Sequence, residues 1–192
     1  MNFKKLNEDL YSVTDVLSVT DFSLVNDEFN SRYNHWIFDR KEDGKPDWYP
    51  CRGYIEKTNT VNGNVGYNYQ FIRIGTIVKL HCEHFLKKKL QFQRIHTNIQ
   101  FHGQESTFHK DVKEKLDLRI WSFLIFVDTS WDTEHGGDFI CDLENGQYKN
   151  IPFIPNNGAL FNSQLEHRGA APNSFCLNKP RKTIQFLFNE VN

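Results

Sequence analysis

The sequence has no long apolar run, and this absence excludes one class of protein at once. No stretch approaches the ~18 consecutive apolar residues of a membrane-spanning helix. The N-terminus, MNFKKLNEDL, turns polar where the apolar segment of a signal peptide would begin. We therefore expect a soluble cytoplasmic protein with no membrane partner.

An excess of charge of either sign is also absent, and so is any C-x-x-C pair. Lys and Arg number 23 against 24 Asp and Glu, for a formal net charge of -1. This balance provides no global field for phosphate backbones, so no nucleic-acid partner is expected. The spacing of the cysteines indicates neither a zinc knuckle nor a redox dithiol. We interpret all four as buried free thiols: Cys51, Cys82, Cys141 and Cys176.

Length and aromatic content set the expected architecture. A chain of 192 residues corresponds to one domain, so no separate cofactor-binding domain is expected. Aromatic residues make up 15% of the chain, with 17 Phe against one Met. Because aromatic side chains suit the half-buried faces of sheets, we predict a single, mainly β domain of the α+β type.

The two halves of the chain differ in character. Residues 1–90 are predicted to form supporting helices and a flap. A short strand and a helix are expected near the start, and the turn-rich segment from Asp39 to Tyr67 is the flap. A second helix is predicted over Thr76–Leu90. Residues 91–190 contain short β-type runs separated by turns, which indicate a sandwich or barrel core. These runs are Ile95–Phe101, Arg119–Val127, Asp138–Cys141, Ala159–Phe161 and Thr183–Phe188.

One pair of residues has the spacing of metal ligands. His109 and Asp111 point to the same face of an extended chain, although a surface His beside a solvated Asp gives the same pattern. His167 follows an apolar strand and a turn, and is a candidate third ligand from a neighbouring strand. Two imidazoles and one carboxylate form the facial triad of non-haem Fe(II) oxygenases, which leaves coordination positions open.

Two further features have a functional and an ordinary interpretation. Arg181 is the first residue of the last predicted strand. In the functional interpretation it binds a carboxylate through two hydrogen bonds, and in the ordinary one it is an exposed charge at the end of the strand. The segment His81–His84 (HCEH) resembles a metal cluster but lacks the H-E-x-x-H spacing, so we interpret it as ordinary helix residues. His135 is expected in an exposed loop, and His102 is a candidate for a pocket role.

The order of these elements resembles the 2-oxoglutarate- and Fe(II)-dependent oxygenase superfamily, and within it the prolyl 4-hydroxylase-like branch. The likeness covers about residues 92 to 190 and comprises N-x-Q-x-x-G-Q, H-x-D, Trp-Ser, Gly-Gly-Asp, P-x-x-G, His167 and R-x-T in that order. The resemblance implies a double-stranded β-helix, a jelly roll with one open end, as the catalytic core. It also implies Fe(II) held by His109, Asp111 and His167, with 2-oxoglutarate and O2 as cosubstrates and ascorbate as a candidate cofactor.

Carried to single positions, the resemblance makes Arg181 the partner of the distal carboxylate of 2-oxoglutarate, with Thr183 as a hydroxyl partner. Because the gap from His167 to Arg181 is long, Lys182 is the alternative to Arg181. Related prolyl hydroxylases often contact 2-oxoglutarate with a Tyr near H-x-D. The counterparts here are Gln100 and Phe126, neither of them a phenol. The candidate replacements for that Tyr are Asn98, Gln100 and Ser122.

The resemblance implies a dioxygenase that hydroxylates its substrate and releases succinate and CO2. A protein or peptide, hydroxylated at a prolyl-type side chain, is the expected substrate. The nucleic-acid demethylase branch has a second Arg six residues after the first, where this sequence has Leu187. Hydroxylation of a free small metabolite, a zinc hydrolase and a non-enzymatic jelly-roll metal-binding module remain alternatives.

The turn-rich flap is a candidate contact for an extended peptide. It contains four large aromatic residues, Trp48, Tyr49, Tyr54 and Tyr67. Aromatic grooves hold proline-rich segments in other proteins. Packing of these aromatics onto the sheet is the equally good alternative.

Overall fold

The computed structural model describes residues 1–30, 38–39, 49–54, 69–112, 119–143 and 146–191, with 38–39 and 49–54 described by their backbone alone. Its helices are α1 (Val19–Asn30) and α2 (Tyr69–Leu86), with short 3-10 helices at Thr133–His135 and Ser174–Cys176. Its strands are β1 (Asn2–Asn7), β2 (Leu10–Thr14), β3 (Phe38–Asp39), β4 (Tyr49–Tyr54), β5 (Lys89–Gln100), β6 (Ile120–Phe126), β7 (Phe139–Asp142), β8 (Tyr148–Ile151), β9 (Gly158–Asn162), β10 (Glu166–Gly169) and β11 (Arg181–Val191).

The strands form two antiparallel sheets. The larger sheet has the order β1-β2-β9-β6-β11-β5-β4-β3, and the smaller has the order β10-β7-β8. A bridge between His109 and His167 adds the segment around His109 to the edge of the smaller sheet, next to β10. From β5 onward the chain passes back and forth between the two sheets, which is the arrangement of a double-stranded β-helix. The predicted mainly β jelly roll is confirmed.

Two apolar clusters lie on opposite faces of the large sheet. One packs against α1 and α2 and includes Phe123 and Ile125 of β6. The other fills the space between the sheets and includes Leu124 and Phe126 of the same strand. Because consecutive strand residues point to opposite faces, β6 supplies both clusters and every one of its residues is buried. This explains its continuous apolar sequence.

The helix predicted over Thr76–Leu90 is wrong at both ends. α2 covers Tyr69–Leu86, and the chain leaves the helix at Lys87, whose φ is 55°. Leu90 is buried in β5, where it pairs with Glu190, and not on the helix. Apolar spacing did not separate the two elements because α2 and the start of β5 bury residues in the same core.

Other departures from the prediction concern short elements. The first 30 residues contain a hairpin of β1 and β2 before α1, where the sequence indicated one strand. The four-residue strands β8 and β10 were not predicted, because neither has an apolar alternation. The flap from Asp39 to Tyr67 lies outside the described residues except for Asp39 at the end of β3 and strand β4. No helix in the described ranges has the length and apolar character needed to span a membrane.

Candidate metal and cosubstrate site

The segment around His109 and strand β10 bring three predicted ligands together. His109 and His167 exchange backbone hydrogen bonds, with N to O distances of 3.0 and 2.9 Å, so their side chains point the same way. Their ring centroids lie 4.6 Å apart. One ligand atom from each of His109, Asp111 and His167 lies within 4.8 Å of the other two. Among the described residues, these three form the single group with this property.

Both imidazoles are oriented in the same way. Nδ1 of His109 lies 3.0 Å from the carbonyl oxygen of Thr107, and Nδ1 of His167 lies 2.9 Å from that of Leu165. A carbonyl oxygen accepts, so each Nδ1 is the protonated nitrogen and each Nε2 keeps its lone pair for a metal. Burial lowers the pKa of His167 and the nearby Asp111 carboxylate opposes this shift. The imidazole of His167 is therefore neutral near pH 7, as a metal ligand must be.

Two strands of the large sheet hold the carboxylate of Asp111. The Ser122 hydroxyl from β6 and the Gln185 amide from β11 both donate to its Oδ2, each over 2.5 Å. Ser122 also hydrogen-bonds to Ser163 over 2.8 Å. The same Oδ2 lies 3.7 Å from Nε2 of His167. The side chains of Asp111 and His167 are each 6% exposed, so these two groups are largely shielded from water.

This donor set fits Fe(II). Two neutral imidazole nitrogens and one carboxylate on one side of a metal leave the opposite positions open for further ligands. The hydrogen bonds that orient each ligand are of the kind that raise metal affinity. The three residues therefore have the chemistry of the facial triad.

Arg181, the first residue of β11, lies buried at 4% exposure on the same face of the sheet as Gln185. Its Nε donates to the Gly137 carbonyl over 2.6 Å, and Nη1 donates weakly to Oε1 of Gln100 over 3.4 Å. Burial lowers the pKa of Arg181 to about 10, although Asp138 opposes the shift. In the part of the chain that the structure describes, no carboxylate oxygen lies within 4.0 Å of it. A buried cation of this kind fits the carboxylate of a bound ligand.

The backbone leaves room for this guanidinium. At Gly169 a Cβ atom would lie 2.9 Å from Nη1 of Arg181, and at Gly137, which has a φ of +82°, it would lie 3.2 Å from Cδ. Either contact would displace the side chain. The two glycines therefore form part of the Arg181 site.

Thr183 lies between Arg181 and Gln185 on this face of β11. It is 1% exposed, and its hydroxyl oxygen is buried without a hydrogen-bond partner in the described residues. A buried hydroxyl without a partner costs free energy, so a ligand that bonds to it is favoured. Asn98 is the cross-strand neighbour of Thr183, and Gln100 is that of Arg181.

Comparison with known proteins identifies solved structures that share the fold at low sequence identity. No family model and no curated protein sequence matches the chain. An oxidoreductase of the 2OG-Fe(II) oxygenase family from Burkholderia pseudomallei superposes with a TM-score of 0.73 at 10% identity, over 96% of this chain and 86% of the other. A prolyl-4-hydroxylase from Pseudomonas putida superposes with a TM-score of 0.62 at 14% identity, over 96% and 94%. A Trichoplax adhaerens prolyl hydroxylase, in complex with a peptide fragment of the hypoxia inducible factor oxygen degradation domain, gives 0.62 at 14% identity, over 96% and 84%.

This chain has the fold of the prolyl 4-hydroxylase-like 2-oxoglutarate oxygenases. Within that oxygenase fold, the structure places Lys182 on the opposite face of β11, where its Nζ donates to Asn30 over 2.9 Å and lies 3.7 Å from an Asp128 oxygen. Of Arg181 and Lys182, the two candidates to bind the distal carboxylate of 2-oxoglutarate, only Arg181 faces the space between the sheets. Ser122 contacts Asp111, so its hydroxyl supports a predicted metal ligand, and its contact with the cosubstrate stays a prediction.

The remaining candidates lie elsewhere on the oxygenase fold. Residues His81 and His84 are exposed on α2, and Cys82 between them is buried in the helix-side core. His102 is exposed and lies 2.8 Å from the Pro172 carbonyl oxygen through Nδ1. His135 belongs to a 3-10 helix that it helps to cap, and is not the exposed loop residue expected. The predicted free thiols Cys82, Cys141 and Cys176 are free and buried, while the Cys51 side chain is outside the described residues.

Sequence reasoning did not identify Gln185, which contacts Asp111 directly. One signal was available. Gln185 follows Arg181 and Thr183 at steps of two residues, so all three share a face of an extended strand.

Proposed function

We propose that this protein is an Fe(II)- and 2-oxoglutarate-dependent dioxygenase that hydroxylates a peptide substrate at a prolyl-type side chain. One observation carries the proposal. The His109, Asp111 and His167 triad faces the same space between two sheets as the buried guanidinium of Arg181, which has no carboxylate partner among the described residues. A metal-binding module without catalysis needs the first feature and has no use for the second.

His109, Asp111 and His167 would hold the iron. Bound Fe(II) and 2-oxoglutarate supply the activation of dioxygen, the conversion of the cosubstrate to succinate and CO2, and the transfer of one oxygen atom to a substrate C–H bond. The protein contributes the positions of the groups and the exclusion of water.

Residues on one face of β11 have different proposed roles in binding the cosubstrate and in holding Asp111. Arg181 provides a positive charge for the distal carboxylate of 2-oxoglutarate, and Thr183 provides a hydroxyl that has no protein partner in the described residues. Gln100 supports Arg181, because its Nε2 donates to the carbonyl of Gly169 over 3.0 Å while its Oε1 faces Nη1. Gln185 then fixes Asp111.

Two buried aromatic rings pack against one ligand of the triad. Phe161 of β9 and Phe139 of β7 contact the His167 ring, with centroid distances of 4.6 and 5.4 Å. Both rings are essentially buried, and they belong to the cluster that joins the two sheets. These rings exclude water from the side of His167 that faces this apolar cluster.

A peptide substrate is supported by the similar structures and by the last strand. Two of the three similar structures are prolyl hydroxylases, and one of them has a peptide bound. Leu187 gives β11 an apolar residue where the nucleic-acid demethylase branch has its second Arg. The aromatic flap, which lies almost entirely outside the described residues, remains a prediction as a peptide contact.

Succinate release tests the proposal. The purified protein with Fe(II), ascorbate and 2-oxoglutarate should form succinate, and proline-containing peptides should increase its rate while alkylated oligonucleotides do not. Asp111→Ala and His167→Ala should lose both iron and succinate formation. Lys110→Ala, an exposed position between two ligands, is the matched control and should retain both. Iron binding without 2-oxoglutarate binding would contradict the proposal, and stimulation by oligonucleotides alone would contradict the substrate class.

A further inference from the structure

Strand β5 has an unusual distribution of polarity. Its residues alternate between an apolar face against the helices, with Ile95 and Ile99 in the core, and a polar face toward the space between the sheets. The polar face consists of Arg94, His96, Asn98 and Gln100, which pair in register with Leu187, Gln185, Thr183 and Arg181 of β11. Directly opposed residues of paired strands lie on the same face. The polar row of β5 therefore lies beside the row of β11 that contains Arg181 and, through Gln185, contacts Asp111 of the triad.

Arg94 is distinguished by its lack of a partner. Five arginine side chains are described. Three of them pair with a carboxylate: Arg73 with Asp21, Arg119 with Asp9 and Arg168 with Glu105. The two on the inner face of the large sheet, Arg94 and Arg181, have no carboxylate within 4.0 Å among the described residues. Arg94 is half-buried, and its Nε is fully buried without a hydrogen bond in the described part of the chain.

The register places Arg94 beside the metal ligands and away from the cosubstrate end. Arg94 is opposite Leu187, and Leu187 is opposite Ser122, whose hydroxyl holds Asp111. Neighbouring strands lie ~4.8 Å apart, so the backbones of Arg94 and Ser122 are separated by ~10 Å, which a long side chain spans. Arg181 is opposite Gln100, which lies six residues from Arg94 along β5, at the far end of the same face. The two guanidiniums that have no carboxylate partner in the described residues thus lie at different levels along this face, Arg94 level with Ser122 and Arg181 level with Gln100.

We propose that Arg94 binds a carboxylate of the substrate and makes the enzyme selective for acidic over neutral or basic substrates. The proposal rests on the proposed function, since it assigns the substrate class of that site. A guanidinium matches a carboxylate bidentately, and a guanidinium that a bound substrate covers is stabilised by a counter-charge. The substrate therefore carries its carboxylate on the β5 side of the reacting carbon, either as an acidic side chain or as a free terminal carboxylate.

Equilibrium binding to the protein loaded with Mn(II) and 2-oxoglutarate tests this without turnover. The probes are amidated peptides Ala-X-Pro-X-Ala in which X is Glu, Gln or Lys, the Gln peptide with a free C-terminal carboxylate, and free L-proline. We expect the probe with the correctly placed carboxylate to bind at least about tenfold more tightly than its neutral counterpart. Preference for the Glu peptide identifies a side-chain carboxylate, and preference for the free-acid peptide or for L-proline identifies a terminal one.

Variants of Arg94 separate a binding role from a structural one. Arg94→Gln should remove the preference for the acidic probe, Arg94→Lys should retain part of it, and Arg94→Glu should transfer it to the Lys peptide. Arg119→Gln, which removes the same charge from an exposed position, is the control and should keep the wild-type preference.

Three results would overturn the proposal. They are a wild-type protein without preference for any carboxylate probe, an unchanged preference in Arg94→Gln, or the same loss of preference in Arg119→Gln. Binding of 2-oxoglutarate to the Mn(II) protein is measured first. Its absence would contradict the proposed function, whereas its presence without an Arg94-dependent preference would contradict this inference alone.

Discussion

The side-chain amide of Gln185 donates to Oδ2 of Asp111 over 2.5 Å, and this contact ties the carboxylate ligand to the strand that also carries Arg181. Ser122 donates to the same oxygen from the neighbouring strand. Both donors reach one oxygen, so the carboxylate is held in a single orientation. The candidate metal site and the proposed cosubstrate site therefore share the strand pair β6 and β11.

Replacement of Gln185 should weaken metal binding. Gln185→Leu removes one of two donors to Asp111, and loss of such a supporting contact typically costs 10- to 100-fold in metal affinity. Titration of the protein with Mn(II) or Fe(II) measures the change. Gln147→Leu, at an exposed position before β8, is the control and should bind metal normally. Unchanged metal affinity in Gln185→Leu would show that Ser122 alone orients the carboxylate.

The same substitution should weaken 2-oxoglutarate binding strongly at Arg181 and little at Lys182. Arg181→Leu should weaken 2-oxoglutarate binding by roughly a hundredfold, with a smaller effect on metal binding, because it removes the buried partner of a carboxylate. Lys182→Leu should have little effect, since Lys182 faces Asn30 and Asp128 on the other side of β11. Calorimetric titration with 2-oxoglutarate at fixed Mn(II) compares them. A larger effect of Lys182→Leu would reverse the assigned face of the strand.

Local spacing explains which site residues the sequence reveals. His109 with Asp111, and Arg181 with Thr183, are pairs at two-residue spacing, so the geometry of an extended chain places each pair on one face. Gln185 extends the second pattern by one step. Its role, however, depends on the packing of β11 against the segment that carries Asp111, and nothing in the local sequence distinguishes it from a solvated Gln. The unpaired state of Arg94 likewise depends on the whole cavity wall.

The ion pair between α1 and α2 should make stability depend on pH. Hydrogen bonds from Arg73 and then Ser18 lower the pKa of Asp21 below its ordinary value. As the pH falls, the unfolded chain binds this proton first, at about pH 3.9. The stabilisation is therefore complete above that value and is lost as the pH falls through the lower folded-state pKa.

Asp21→Asn tests this linkage. It should reduce the free energy of unfolding at pH 7 by no more than about 1 kcal/mol, because the pair is partly exposed. Urea denaturation of both proteins at several pH values between 7 and 3 provides the comparison. The difference between them should decrease at the acidic end, and a difference that stays constant would assign the effect to helix packing and not to the charge.

Thr183 allows a test in which stability and binding change in opposite directions. Its buried hydroxyl has no partner in the described residues, so Thr183→Val should raise the free energy of unfolding of the ligand-free protein by about 1 kcal/mol. The same change should weaken 2-oxoglutarate binding roughly three- to tenfold, because the hydroxyl is then missing from the ligand contact. Thr183→Ser keeps the hydroxyl and should retain the affinity while losing stability through the missing methyl group. Thermal unfolding and calorimetric titration of the two variants give both quantities, and weaker binding in Thr183→Ser than in Thr183→Val would assign Thr183 a packing role only.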